Sequence, residues 1–297
     1  MEDFYLMKLT RELLFELKFI RGITNLQVNK FIGNMQMRDL EEIELTAYDI
    51  ANLAELVTGR MDFLESFSEF TSEKLEEKLA EHQFITILDD DYPELLREIY
   101  NPPTVLFYQG DISLLRNFML GAVGSRESSE LGAGSVHAIL APVTKYFTVV
   151  SGLATGIDGV AHKLTIKNGG KTIGVVGNGL DIYYPKHHRE LQEYMGKSHL
   201  LLSEYPNGTA PRKYHFPDRN RIIAGLSLGV VVFEAKIRSG SLITAERAME
   251  GGREVFAVPG EIVSGRSSGC HFLIQQGAKC TYKATDILEE YFPNFNK

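Results

Sequence analysis

Short apolar runs alternate with segments of helical spacing from about residue 118 to the end of the chain. Residues 119–123, 172–176 and 230–233 are such runs, and they lack the every-second-residue alternation of a half-exposed strand. Continuous apolar runs are typical of strands that are covered on both faces. Strands that alternate with helices form right-handed βαβ units. The pattern therefore predicts an α/β fold in which a parallel sheet lies between two layers of helices.

The loops that follow six of these runs are rich in Gly, Ser, Arg and Lys. In an open parallel sheet, ligands bind in the crevice at the carboxyl ends of the strands, so we expect these loops to converge on one face. Their side chains are suited to holding phosphates and stacking a base, and they include few catalytic groups. The loop segments are residues 124–126, 151–158, 177–186, 211–221, 238–241 and 259–260.

The first part of the chain has a different pattern, with apolar residues at helical spacing up to about residue 80. We predict a small all-helical domain over residues 1–82, followed by the parallel-sheet domain over residues 83–297. Residues 19–27 resemble the turn of a helix-hairpin-helix or SAM-type bundle, whose loop amides can hold a DNA backbone. The alternative is a packed helical module with an acidic surface.

Charge is divided unevenly between the two parts. Residues 1–100 carry 10 Lys and Arg against 22 Asp and Glu, a net charge of −12. Residues 101–297 carry 21 against 17, a net charge of +4. The local field matters more than the net charge for attracting an anionic ligand. The total of −8 therefore does not exclude a nucleic-acid ligand.

The composition predicts a cytoplasmic protein without membrane contact. The N-terminal residues lack the pattern of a signal peptide, and no apolar run is long enough to span a bilayer. Cys270 and Cys280 are the only cysteines, which fits a reducing compartment, and neither stands in a metal-ligand spacing.

Gly124, Ser125 and Arg126 end the first strand of the predicted parallel sheet. A glycine allows close approach of a ligand, the next helix offers free amides, and a guanidinium suits phosphate. The alternative for Arg126 is a surface residue after an ordinary turn. Ser151 and Gly152 offer a similar hydroxyl and glycine after the next strand. The dinucleotide fingerprint Gly-x-Gly-x-x-Gly is absent, so we expect neither NAD nor FAD.

The most specific segment is residues 211–221. Lys213 lies three residues before Phe216, and prolines on both sides stiffen the loop. Proteins hold single-stranded nucleic acid with a cation on the phosphate and an aromatic ring on the base, which contributes roughly 1–3 kcal/mol per base. Phe216 is therefore a candidate stacking platform, and the alternative is a core anchor for its own loop.

Other polar residues extend this candidate site. Arg219 and Arg221 are predicted in the first turn of the next helix, where a cation opposes the helix dipole and needs a carboxylate or an anionic ligand. For Arg221 we weigh an internal ion pair equally with a DNA contact. The remaining candidate contacts are Lys186, Arg212, Asn220, Ser239, Gly240 and Ser241.

No catalytic pattern stands out. The chain lacks the Gly-x-Ser-x-Gly, Walker, His-Glu-x-x-His and Cys-x-x-Cys motifs. We therefore predict a protein that is not an enzyme, with no catalytic residue, no metal and no cofactor.

Taken together, these segments resemble the DNA processing protein A family. The resemblance covers about residues 84–284 and rests on residues 91–93, 124–126, 151–158, 215–221, 238–241 and 259–260. It implies an extended Rossmann-like domain that binds single-stranded DNA, forms a homodimer, protects incoming strands during natural transformation and loads the RecA recombinase on them. By the motif match, Arg126, Lys213 and Phe216 would be DNA contacts. The helical part is similar to the SAM-type domain of some members.

The C-terminal elements are the predicted dimer interface. Residues 269–282 place apolar side chains at an expected edge of the domain, where an exposed apolar patch usually has a partner. We assign His271, Ile274 and Cys280 to this interface.

Two other functions are considered. Residues 239–246 are weakly similar to a loop of lysine-decarboxylase-like Rossmann enzymes that hydrolyse nucleoside monophosphates, although the Pro and the Gly pair of that loop are absent. The third possibility is a structural adaptor with an incidental anion site. Titration with a single-stranded oligonucleotide and an assay of nucleotide turnover separate the three.

Overall fold

The computed structural model describes residues 7–40 and 43–293. Five helices come first: α1 (Arg11–Leu17), α2 (Asn25–Met37), α3 (Ala47–Leu53), α4 (Arg60–Ser68) and α5 (Ser72–Glu81). Threonine side chains cap four of them; Thr24 and Thr46 form capping boxes with Gln27 and Asp49. Each cap satisfies amides that a helix start leaves free, which explains how such short helices begin where they do.

A nine-stranded mixed sheet follows, so the α/β prediction is confirmed. The strands are β1 (Gln83–Thr86), β2 (Val105–Gly110), β3 (Met119–Gly124), β4 (Thr148–Ser151), β5 (Thr172–Val176), β6 (Leu200–Ser203), β7 (Gly229–Phe233), β8 (Glu254–Ala257) and β9 (Lys279–Cys280). Their order is β1-β2-β6-β5-β4-β3-β7-β8-β9. Strands β3 to β9 pair in parallel, whereas β1 and β2 are antiparallel to their neighbours.

Helices cover both faces of the sheet. They are α6 (Glu94–Arg97), α7 (Glu130–Val143), α8 (Ile157–Lys167), α9 (Arg189–Ser198), α10 (His215–Leu226), α11 (Gly240–Glu250), α12 (Ser268–Gln275) and α13 (Thr285–Tyr291). One buried cluster packs α7, α8 and α13 against the sheet, and a second packs α9 to α12 on the opposite face. Within the described residues, no helix is long and apolar enough to cross a membrane.

The helical region shares its core with the antiparallel edge of the sheet. The Phe15 ring centroid lies 4.4 Å from that of Phe84 and 5.9 Å from that of Phe107. One continuous cluster of buried side chains extends from α1–α4 to β1, β2 and β6. The change from helices to strands falls between Glu81 and Gln83. The division into two domains at that point stays a prediction, because the two parts have a common core.

Candidate nucleic-acid interface

A cleft of about 750 Å³ opens at the carboxyl ends of the parallel strands. Residues from the loops after β3, β4, β5, β6, β7 and β8 line it, so the expected convergence of these loops is observed. Nine of the candidate contacts are among the lining residues: Gly124, Ser125, Arg126, Lys213, Phe216, Asn220, Ser239, Gly240 and Ser241.

Gly124 is required by packing within the protein. A Cβ atom at this position would lie 2.0 Å from the carbonyl oxygen of Phe233 and within 3 Å of the Ile157 side chain. The next residue is also tied to the fold, since the Ser125 amide donates to the Glu234 carbonyl at 2.8 Å. The loop is therefore rigid where it presents Arg126 to the cleft.

An aromatic and cationic cluster occupies one wall of the cleft. The Phe216 ring is half-buried, the Arg126 guanidinium lies 5.4 Å from its centroid, and the Tyr184 ring centroid lies at the same distance on a plane tilted by 32°. Lys213 is exposed beside them. Phe216 belongs to neither buried cluster of the core. In this arrangement a nucleic-acid base could stack on the Phe216 ring, and a phosphate could contact the two cations, Arg126 and Lys213.

Arg219 has a structural role beneath this wall. It is 5% exposed, and its guanidinium donates to the carbonyl oxygens of Gly152 and Val175. Buried Asp158 accepts from the Gly152 amide at 3.1 Å. Burial raises the pKa of the Asp158 carboxyl, and attraction to Arg219 opposes that rise. The two buried charges thus compensate each other and fix the loop after β4.

The predicted start of this helix is wrong. The helix begins at His215, so Arg219 and Arg221 lie in its second turn. Arg221 forms a buried ion pair with Glu204 at 2.6 Å, with side chains 11% and 7% exposed. Arg221 therefore forms the internal ion pair that was the alternative to a DNA contact. Its guanidinium is not among the groups that line the cleft.

Four further candidates also lie away from the cleft lining. The Ser151 hydroxyl is buried and donates to the Ala122 carbonyl at 2.6 Å. A Cβ atom on Gly152 would meet the Arg219 guanidinium at 2.3 Å, so this glycine makes room for an internal contact. Lys186 and Arg212 are exposed on neighbouring loops. We retain only these two as possible extensions of the site.

The start of α11 forms the opposite wall. The Ser239 hydroxyl caps the helix by accepting from the Ser241 amide and lies 2.7 Å from the Ser241 hydroxyl. Asn220 joins this wall to α10, because its side-chain amide donates to the Gly240 carbonyl at 3.1 Å. The Cβ position of Gly240 faces open space. An anion entering here would meet the hydroxyls of Ser239 and Ser241, because the amides of Ser241 and Leu242 already donate to Ser239.

The candidate contacts did not include four residues that line the cleft: Tyr184 and Arg238, which lie in predicted loop segments, and Lys236 and Arg266. Lys236 and Arg238 follow the predicted strand at residues 230–233, so their position after a strand could have identified them as candidate contacts. Within residues 7–40 and 43–293, Arg126, Lys213, Lys236 and Arg238 form no salt bridge, whereas Arg266 pairs with buried Glu234 at 3.3 Å. Four cations without a paired carboxylate give the cleft a positive field.

The predicted dimer residues lie on and next to α12 at one end of the sheet. His271 contacts the Gly260 carbonyl through its ring at 3.1 Å, Ile274 is partly buried against the core, and Cys280 is exposed on edge strand β9. Among their apolar neighbours, Leu273 is buried and Phe272 is 46% exposed. Phe272 is therefore the apolar side chain of α12 that is most available to a partner.

Comparison with protein families gives one match to most of the chain. The model described as DNA recombination-mediator protein A matches residues 83–292. The DNA processing protein DprA of Streptococcus pneumoniae is 47% identical over 285 residues, covering 96% of this chain and 99% of the relative. The protein of the same name from Bacillus subtilis is 49% identical over 208 residues, covering 69% of this chain and 70% of the relative.

Solved structures agree with this match. The X-ray structure of the Streptococcus pneumoniae protein aligns with a TM-score of 0.90 over 96% of this chain and 99% of that one. The structure of DNA processing protein A from Helicobacter pylori aligns with a TM-score of 0.64 at 26% identity, over 72% of this chain and 98% of that one. The latter structure describes a single-stranded DNA binding mode of the Helicobacter protein.

Proposed function

The chain belongs to the DNA recombination-mediator protein A family, and we propose that it binds single-stranded DNA in the cleft described above. We further propose that it acts in the cytoplasm, where it protects incoming strands during natural transformation and loads the RecA recombinase on them. The observation that carries the DNA-binding proposal is the half-buried Phe216 ring with Arg126 and Lys213 beside it. The single-strand binding described for the Helicobacter relative supports it.

Recognition in this cleft is expected to tolerate any base sequence. Every base has a π-face that can stack on a ring, and the cations would meet phosphates, which are the same for all sequences. The cleft is formed by loops and two helix starts. A single strand with unstacked bases therefore fits this site better than a duplex does.

Binding should weaken steeply with salt. If Arg126, Lys213, Lys236 and Arg238 each displace one counterion from a single strand, log affinity falls against log salt with a slope of roughly −3. Fluorescence anisotropy with a labelled oligothymidine at several salt concentrations measures this slope. A flat response, or equal affinity for duplex of the same length, would contradict the proposal.

Removing either exposed cation of the aromatic wall should weaken binding without unfolding the protein. We expect Arg126→Ala and Lys213→Ala each to reduce affinity by about tenfold, because each loses a charged contact to phosphate worth roughly 1.5 kcal/mol. Melting temperatures should hardly change, since both side chains are exposed. Lys167→Ala, which removes an exposed cation in the last turn of α8, outside the cleft lining, is the matched control. Equal losses in all three variants would show a nonspecific charge effect.

We propose that the protein is not an enzyme. The carboxylates lining the cleft in the described part of the chain belong to Glu127 and Asp158, and Asp158 already accepts from loop amides. Glu246, the acidic residue of the segment similar to nucleotide hydrolases, is exposed and is not among the residues that line the cleft. Release of free base from nucleoside monophosphates, measured on the same preparation that binds DNA, would overturn this proposal.

We propose that the protein forms a homodimer through α12 and β9. Phe272→Glu should then sediment as a monomer at micromolar concentrations at which the parent is a dimer, because a charge would be buried in an apolar contact. Phe272 is exposed in the single chain, so the variant should still fold, and its circular dichroism spectrum should match that of the parent. Met249→Glu, a change at another exposed apolar residue, is the control. A monomeric parent would remove the claim.

A further inference from the structure

The largest cavity among those that stand out in the structure lies in the acidic helical region, far in sequence from the DNA-binding loops. It is a groove of about 1000 Å³ lined by α1, α3, α4 and α5, hereafter the α1–α5 groove. Large apolar side chains face it: Tyr48 and Met61 are 54% and 76% exposed. Leu64, Phe70 and Leu75 form its partly buried floor.

Exposed apolar surface of this kind usually marks an interaction site. Monomeric proteins rarely leave a large contiguous apolar patch in water, and a patch with a polar rim is typical of a protein-binding groove. Here the rim carries Glu65 and Glu73, together with Ser68, Thr71 and Ser72. The groove therefore has the apolar floor and polar edge expected of a docking surface.

Glu16 gives the groove its chemical preference. Its side chain lines the groove among the apolar residues, and burial raises the pKa of its carboxyl to about 7. No Lys or Arg is among the lining residues in the described ranges. A carboxylate removed from water without a cation is costly. A bound cation on an apolar stem would supply the missing charge.

The sign of the charge excludes nucleic acid as the occupant. Three carboxylates line the groove, and residues 1–100 carry a net charge of −12, so phosphates would be repelled. The same field attracts a basic protein segment. The occupant must also satisfy its own backbone hydrogen bonds, because the described residues along the groove include none of the strands β1–β9 with which an extended segment could pair. A helix meets that requirement.

We propose that the α1–α5 groove binds a basic amphipathic helix of a partner protein, with Leu-type side chains on the apolar floor and a Lys or Arg over Glu16. This is the helix-in-groove mode of recognition, with anchors at i, i+3, i+4 and i+7. It would give the chain a protein-binding surface at its acidic end and a DNA-binding surface at its basic end. The proposal is independent of the DNA-binding function.

The probe is a fluorescein-labelled peptide of about 18 Leu and Lys residues, long enough to form a helix in isolation, with Leu at the anchor positions. A scrambled peptide of the same composition has no apolar face and is the first control. We expect the full-length protein to bind the patterned peptide at least about tenfold more tightly than the scrambled one, a difference of roughly 1.4 kcal/mol.

Two variants place the binding in the groove. Met61→Glu should reduce the affinity for the patterned peptide by at least about tenfold, and Glu16→Gln should reduce that affinity several-fold. Met249→Glu and Glu190→Gln change exposed residues outside the groove in the same way and should bind like the parent. Single-stranded DNA affinity and melting temperature should be unchanged in Met61→Glu, which separates this test from that of the DNA-binding cleft.

Three results would overturn the proposal. They are equal binding of the scrambled peptide, parental binding by both Met61→Glu and Glu16→Gln, and loss of self-association in Met61→Glu by sedimentation. The last result would identify a second copy of the chain as the occupant of the groove.

Discussion

Arg219→Ala is expected to destabilise the protein by roughly 3–5 kcal/mol, the order of the cost of leaving a buried charge without the opposite charge that offsets it. The guanidinium is 5% exposed and holds the carbonyl oxygens of Gly152 and Val175. Its loss would remove one hydrogen-bond donor from each of those oxygens and would leave the buried Asp158 carboxyl without the opposing charge of Arg219. Urea denaturation monitored by circular dichroism measures the change as a shift in midpoint.

The matched control is Arg126→Ala, which removes an arginine of the same cleft whose side chain is exposed and which should leave the midpoint unchanged. A double-mutant cycle with Asp158→Asn tests the cause. If Arg219 compensates Asp158, the double variant should be more stable than the sum of the two single changes predicts. A loss below about 1 kcal/mol in Arg219→Ala, within the range of ordinary surface changes, would show that this arginine is dispensable to the fold.

The layered sheet was predictable because the signal was local and repeated. Strands β3, β5 and β7 are largely apolar runs, and each is followed by a loop that includes small or basic residues. The rule that ligands bind at the carboxyl ends then locates the cleft without any contact being known. Arg126 could be placed there because it follows β3 directly, and Lys213 and Phe216 could be placed there because they lie in the segment that follows β6.

The error at the start of α10 has a definite cause. Pro217 was taken as the end of a loop, yet proline is tolerated in the first turn of a helix because that turn has no partner for the missing amide. The helix therefore begins at His215. This shift of a few residues turns Arg219 and Arg221 inward, toward Gly152 and Glu204. No sequence pattern reveals those partners, because they lie 67 and 17 residues away.

Tyr184 and Gly124 show a second limit of prediction from the sequence alone. Tyr184 meets Phe216 across a sequence separation that only the folded sheet closes. Gly124 was interpreted as space for a ligand, and its Cβ position faces Phe233 and Ile157. Sequence indicates that a small residue is needed, and only the structure shows what occupies the space. Several side chains that face the cleft could be predicted, whereas the internal contacts of Gly124, Gly152 and Arg219 could not.

Phe216→Ala should reduce single-strand affinity by roughly 1–3 kcal/mol, the cost of losing one stacked base, which is about 5- to 150-fold. The ring is half-buried at the cleft, near Arg126 and Tyr184, and is not part of either core cluster. We therefore expect a small change in melting temperature. Anisotropy titration with a labelled oligothymidine and a thermal melt of the same sample measure the two quantities together.

Two conservative substitutions separate stacking from packing. Phe216→Tyr keeps the ring face and should retain most of the affinity, whereas Phe216→Leu keeps apolar volume without a π-face and should lose nearly as much as Phe216→Ala. A core anchor would behave in the opposite way: Phe216→Ala would then lower stability by roughly 3–5 kcal/mol, and Phe216→Leu would restore much of it. Because Arg126 lies over the same ring, the effects of Phe216→Ala and Arg126→Ala should be less than additive. If Phe216→Leu binds single strands as tightly as the parent, stacking is not the interaction and the mechanism proposed for this cleft is wrong.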